Sequence, residues 1–233
     1  MKPSAAPWGL PPEVPWPRFL RMLRQADPPR GWLEAAAELP DLRKRPLLLR
    51  WIAQHPKAPA HLRAGLLGRL PWRALAAVAT DAAAHPQARQ QATEKLQQLW
   101  LVMTTGERRS LAIHAPRALW PQVWRSPAPS VLAAFLHHPK LGLEALVALI
   151  QPPLRPPQAE ALALSRWREV GPVAEQVLRA LDRSLPLPDS GLALGHAAPW
   201  IKALGEEERI LAASRLLTPA LRRMVHPHRE PAG

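Results

Sequence analysis

Thirty of the 233 residues are proline, and where they fall restricts this chain more than any other feature. Each proline removes a backbone donor, so a chain this rich in proline cannot be woven through a central β-sheet. A helix accepts proline in its first turn, where the missing N–H has no intrahelical partner. The residue before proline is pushed out of the helical region. Prolines placed between apolar runs therefore end one helix and begin the next. The runs between them carry the helical period, as in Leu62, Leu66, Leu67 and Leu70, or Ala88, Ala92, Leu96, Leu99 and Met103, or Leu143, Leu146, Val147 and Ile150. No clean alternating run is present. The pattern predicts an all-α chain with helices near 15–26, 30–39, 46–54, 59–69, 71–80, 86–103, 106–114, 117–124, 128–137, 142–151, 156–165, 170–184 and 206–225. Many span only two or three turns, too short to stand without packed neighbours.

One phrase is written twice. "IAQHPKAPAHLRAGLLGRL" begins at Ile52, and "AFLHHPKLGLEALVALI" begins at Ala134. His-Pro recurs at His55-Pro56, His85-Pro86, His138-Pro139 and His226-Pro227. A unit of two short helices around a proline turn cannot bury its apolar face alone, whereas stacked units can. The expected architecture is a right-handed α-solenoid of short helices joined by proline-rich turns. Its organisation would be a proline-rich N-terminal arm over 1–17, one helical-repeat domain over 18–225 with its clearest repeats over 46–165, and a tail over 226–233. The arm holds six prolines, with Trp8 and Trp16, as an extended segment laid along a partner or along the chain's own helices would.

The segment 51–96 resembles the leucine-rich repeat variant class of bacterial helical repeats, within the HEAT/armadillo-like superfamily, and the resemblance extends over roughly residues 46–165. That class runs apolar-Ala-x-x-Pro-x-x-Pro, then leucines, then Ala-x-Asp, then Pro-x-x-Arg-x-x-Ala. Here Ile52, Ala53, Pro56, Pro59, Leu62, Leu66, Ala79, Asp81, Pro86, Arg89 and Ala92 fill it. Residues 107–150 are similar in style. The resemblance implies a superhelix of short helices used as a binding scaffold. Some members of the class also hold a cysteine-bound iron–sulfur cluster, which a chain without cysteine cannot reproduce.

The absence of cysteine also removes disulfides, thiolate zinc sites and cysteine nucleophiles. The first residues lack the apolar core of a secretory signal. No stretch approaches the roughly 18 apolar residues of a membrane span. A cytoplasmic protein is the expectation. No HExxH, GxSxG, SxxK or phosphate-cradling glycine loop is written anywhere. The acidic run Glu206-Glu207-Glu208 follows Gly205, where negative charge favours a helix start. The His-Pro pairs read as turn residues, and a non-enzymatic protein without cofactor or metal is expected.

Charge and tryptophan carry the remaining signal. The net charge is +13, from 31 basic and 18 acidic residues. Residues 51–129 hold ten basic and three acidic side chains, the largest local excess. Stacked repeats set equivalent positions on one side, so Arg63, Arg69, Arg73, Arg89, Lys95, Arg108, Arg109, Arg117 and Arg125 form a candidate binding face, with Trp72 and Trp124 as its aromatic members. Arg63, Arg69, Arg73, Arg89, Arg108 and Arg109 are expected to be largely exposed, because only Asp81, Glu94 and Glu107 offer acidic partners. Most of the ten tryptophans read as packing residues. Two functions remain: a scaffold that binds another protein, or a nucleic-acid-binding repeat protein that uses an Arg/Trp face.

Overall fold

The computed structural model describes residues 16–24, 27–40 and 45–226. Most of the expected N-terminal arm, the residues of the tail beyond His226, and the proline of the fourth His-Pro pair lie outside them. The described residues form fifteen α-helices and three 3-10 turns, with no strand. In chain order the helices are α1 (Trp16–Leu23), α2 (Trp32–Ala37), α3 (Pro46–Gln54), α4 (Ala60–Arg69), α5 (Trp72–Thr80), α6 (Pro86–Trp100), α7 (Thr105–Ala112), α8 (Trp120–Trp124), α9 (Pro129–Leu136), α10 (Leu143–Leu149), α11 (Pro156–Ala163), α12 (Gly171–Ser184), α13 (Ala198–Ala203), α14 (Glu206–Arg215) and α15 (Pro219–Val225). The 3-10 turns cover Arg117–Leu119, Arg166–Glu169 and Leu194–Ala197.

The prolines sit where their chemistry permits. Helices α3, α6, α9, α11, α12, α13 and α15 carry proline in the first two positions. Pro59 and Pro71 immediately precede α4 and α5 in extended conformation. Two boundaries differ from expectation. The span 206–225 is two helices, because Pro219 holds Thr218 extended (φ −73°, ψ 116°). The stretch between 184 and 206, where the pattern gives no helix, contains the 3-10 turn Leu194–Ala197 running into α13.

The repeated His-Pro-Lys phrase builds the same turn twice. In the first, Ala58 N donates to His55 O at 3.0 Å, and Lys57 N donates to the imidazole Nδ1 of His55 at 3.1 Å. In the second, Leu141 N donates to His138 O at 3.1 Å, and Lys140 N donates to His138 Nδ1 at 3.1 Å. Proline in the second position of a β-turn presets its φ, and the imidazole accepts the amide two residues on, as an Asx side chain would. His85 works in the same way at the start of α6, where Nδ1 accepts from Gln87 N at 3.2 Å. Each accepting histidine therefore carries its neutral-state proton on Nε2.

The correspondence extends to what holds the preceding helix. A helix end leaves carbonyls without intrahelical donors. Two residues before His55, the carbonyl of Ala53 accepts from Arg63 Nε at 3.2 Å. Two residues before His138, the carbonyl of Leu136 accepts from the indole Nε1 of Trp167 at 3.1 Å. In both places a buried side-chain N–H closes the ladder that the His-Pro turn interrupts.

The chain divides into two compact units. The first takes the residues up to Met103 together with Ala115–Leu119. Its core includes Phe19, Trp32, Leu49, Ile52, Leu66, Leu75, Val78, Leu96 and Leu119, with the rings of Phe19 and Trp32 5.4 Å apart. Within it α5 packs on α6, α3 on α4 and α5, and α4 on α6. The second unit takes Thr104–His114 and the chain from Trp120. Its core includes Leu111, Trp120, Phe135, Leu146, Leu162, Val177, Leu178, Trp200 and Leu221. Trp120 meets Phe135 edge-on at 5.8 Å. Here α9 packs on both α7 and α11, α12 on α10 and α14, and α14 on α15. Asp182 ties α15 to α12: its buried carboxylate accepts from Leu217 N at 2.7 Å and Thr218 N at 2.8 Å.

Candidate binding surfaces

The eleven residues of the expected basic face separate once placed. Arg63 does not belong to a surface. Its side chain is 3% exposed, against the expectation that it faces solvent. Among the described residues no carboxylate pairs with it. Its guanidinium is instead spread over carbonyl oxygens, with Nε on Ala53 O, Nη2 on Ala58 O at 2.9 Å, and Nη1 3.5 Å from Gln87 Oε1. Ala53 lies in the last turn of α3, where the helix dipole presents its negative end. That field and the fixed fork of donors make the burial tolerable. Desolvation lowers the Arg63 pKa from the ordinary arginine value.

Trp124 is likewise buried, so it offers no face for stacking on a base. It packs near Phe135 at 6.4 Å, and its carbonyl accepts from the buried Gln158 Nε2 at 2.7 Å. Trp72 is half-buried, and the guanidinium carbon of Arg73 lies 4.7 Å from its ring centroid. The Arg-Trp adjacency is thus spent within the pair, as a cation–π contact. The same holds for Arg166 over Trp167 at 5.0 Å.

Arg69, Arg73 and Arg117 are exposed in the first unit, and Arg109 and Arg125 in the second. Arg89, Lys95 and Arg108 are half-buried. Arg89 lines a shallow open cleft of about 410 Å³ whose walls mix apolar and polar side chains, among them Ala79, Pro86, Gln90, Thr93 and Glu94. Gln90 Nε2 donates to Glu94 Oε1 at 3.0 Å there. The cleft holds one cation and one anion, so it is not a positive groove.

Asp81, Thr80 and His85, which lie close together in sequence, are engaged by backbone groups or by an amide. Asp81 accepts from Gln54 Nε2 and Ala83 N, both at 2.9 Å. Thr80 Oγ1 donates to Ala76 O at 2.8 Å, and His85 caps α6. Among the described residues no group of three or more His, Asp or Glu side chains is arranged to hold a metal ion.

A feature that sequence reasoning missed lies in the second unit. Leu185, Pro186, Leu192, Leu194, Thr218 and Ala220 line an open, largely apolar groove of about 440 Å³. It is built where α12 ends, the Leu-rich loop returns and α15 begins. The stretch "LPLPDSGLALG" from Leu185 carried the signal, leucine and proline without helical period. Leu187 and Leu194 are exposed near or within this loop, and Leu217 is 73% exposed just before the cap of α15.

Comparison with protein-family models, with curated proteins and with solved structures finds no match to this chain. No described helix is long and apolar enough to cross a membrane.

Proposed function

We propose that this chain is a non-enzymatic helical-repeat scaffold that binds another protein. The observation that carries the reading is the apolar groove of the second unit with its exposed leucines. Exposed apolar side chains gathered in one patch mark a surface for association. The surroundings of three of the basic candidates favour the same reading over nucleic acid. One of them is buried, another is stacked on its own neighbour, and a third shares a cleft with a glutamate.

The finer architecture belongs to the same proposal. Within each unit, helices pack on the next but one as well as on their neighbours: α3 on α5, α4 on α6, α7 on α9, α9 on α11, α10 on α12. Stacked two-helix repeats require that alternation, which supports a right-handed α-solenoid and the resemblance to leucine-rich repeat variants. A cytoplasmic location fits a chain without cysteine.

The test is capture of partners on immobilised full-length protein, with and without nuclease. A scaffold retains the same protein partner after nuclease treatment and loses it when Leu194 is changed to Glu. Retention that disappears with nuclease would overturn the reading in favour of nucleic acid.

A further inference from the structure

Helix α14 buries one narrow edge of its surface. It meets α12 and α15 through Ala212 and Ala213, and Arg209 Nε donates to Ile201 O at 2.9 Å. Its other face is open: Glu206, Glu207, Ile210, Leu211 and Ser214 are all exposed. Ile210 and Leu211 are 46% and 49% exposed. They sit at the midpoint of the ten-residue helix.

The two ends of this face carry opposite charge. Glu208 is used internally, accepting from Gly205 N at 2.9 Å. Glu206 and Glu207 have no ion pair among the described residues. At the other end, Glu175 Oε1 accepts from Arg215 Nη1 and Arg179 Nη2, each at 2.5 Å. One carboxylate is shared by two guanidiniums, so that cluster keeps an uncompensated positive charge.

We propose that the open face of α14 is a self-association surface whose occupant is α14 of a second copy, packed antiparallel about a two-fold axis at Ile210 and Leu211. This rests on the protein-binding reading above and names one partner for it. In that arrangement position 206 faces 215 of the other copy, 207 faces 214, and 210 faces 211. The apolar pair meets its own image, and Glu206 and Glu207 meet the Arg215–Glu175–Arg179 cluster at both ends. A two-fold contact needs such self-complementarity, and opposite charges at the rim fix direction and register. A helix of ten residues is about 15 Å long, so the contact falls below the roughly 800 Å² per partner of a standard interface. The association is therefore weak and concentration-dependent.

Sedimentation equilibrium of the full chain over a wide concentration range tests this, with far-UV circular dichroism to show that each variant is folded. The wild type is expected to dimerise reversibly, and the Ile210→Glu/Leu211→Glu double variant to remain monomeric. Glu206→Arg/Glu207→Arg and Arg215→Glu are each expected to weaken self-association at least tenfold. An equimolar mixture of those two variants should recover it, because both ends of the mixed dimer again pair opposite charges. A monomeric wild type at the highest concentration, or a dimer unaffected by the Ile210/Leu211 change, overturns the proposal. A mixture that fails to recover overturns the antiparallel register. In each of those outcomes nuclease-resistant capture sensitive to Leu194→Glu still stands, so the loss of the dimer is distinguishable from the loss of the scaffold reading.

Discussion

Replacing Arg63 with alanine should be among the most damaging single changes in the first unit. The guanidinium makes two well-formed hydrogen bonds, to Ala53 O at 3.2 Å and Ala58 O at 2.9 Å, with a longer approach of 3.5 Å to Gln87 Oε1. Hydrogen bonds from a charged donor contribute about 1.5–3 kcal/mol each. Truncation strands both carbonyls and empties the space of a long side chain. Against this stands relief from burying a cation without a carboxylate, a cost of several kcal/mol. The balance is a loss of about 2–4 kcal/mol. Urea denaturation followed by circular dichroism measures it, provided the two units are fitted as separate transitions where they separate. Arg63→Lys should lose most of the same stability, since an ammonium cannot span both carbonyls in the geometry of the fork. An alanine variant within about 0.5 kcal/mol of wild type, the range of ordinary surface substitutions, would refute the claim that Arg63 clamps the end of α3 to the His55 turn.

The other expectations follow from single contacts. His85→Ala should destabilise by about 1 kcal/mol while His85→Asn is nearly neutral, because asparagine also caps a helix start; equal losses in both, by chemical denaturation, would show that the Nδ1 acceptor is unimportant. Asp182→Ala removes the acceptor for two backbone amides at 2.7 and 2.8 Å, so a loss of about 2–4 kcal/mol and early hydrogen exchange at Leu217 and Thr218 are expected, and unchanged exchange would contradict it. Reversal of Arg69, Arg73 and Arg109 to glutamate should leave nuclease-resistant partner capture intact, and abolition of capture would return the basic face to the centre of the account.

The helical class was legible because proline and apolar spacing point the same way at nearly every boundary. Pro46, Pro86, Pro129 and Pro156 each open a helix where the pattern expects one. The break at Pro219 was missed because apolar residues continue at helical spacing across it, from Ala212 and Leu216 to Leu221 and Val225. Arg63 could not be read as buried, since its partners are backbone carbonyls of another helix and of a turn, which leave no mark in residue type. The groove was hidden for a related reason: Leu185, Leu194 and Ala220 are remote in sequence and meet only because α12, the returning loop and α15 converge. The duplicated His-Pro-Lys phrase was visible at once, but only the structure shows that the imidazole Nδ1 is an acceptor in the turn.

The central claim is that this helical protein works by binding protein at the apolar groove of its second unit. The most direct measurement is the amount of partner protein retained, after nuclease and at raised salt, on wild-type chain and on Leu194→Glu. The account predicts full retention on the wild type, little change with salt and loss on the variant. Equal retention on both, or retention that vanishes with nuclease or modest salt, would contradict it.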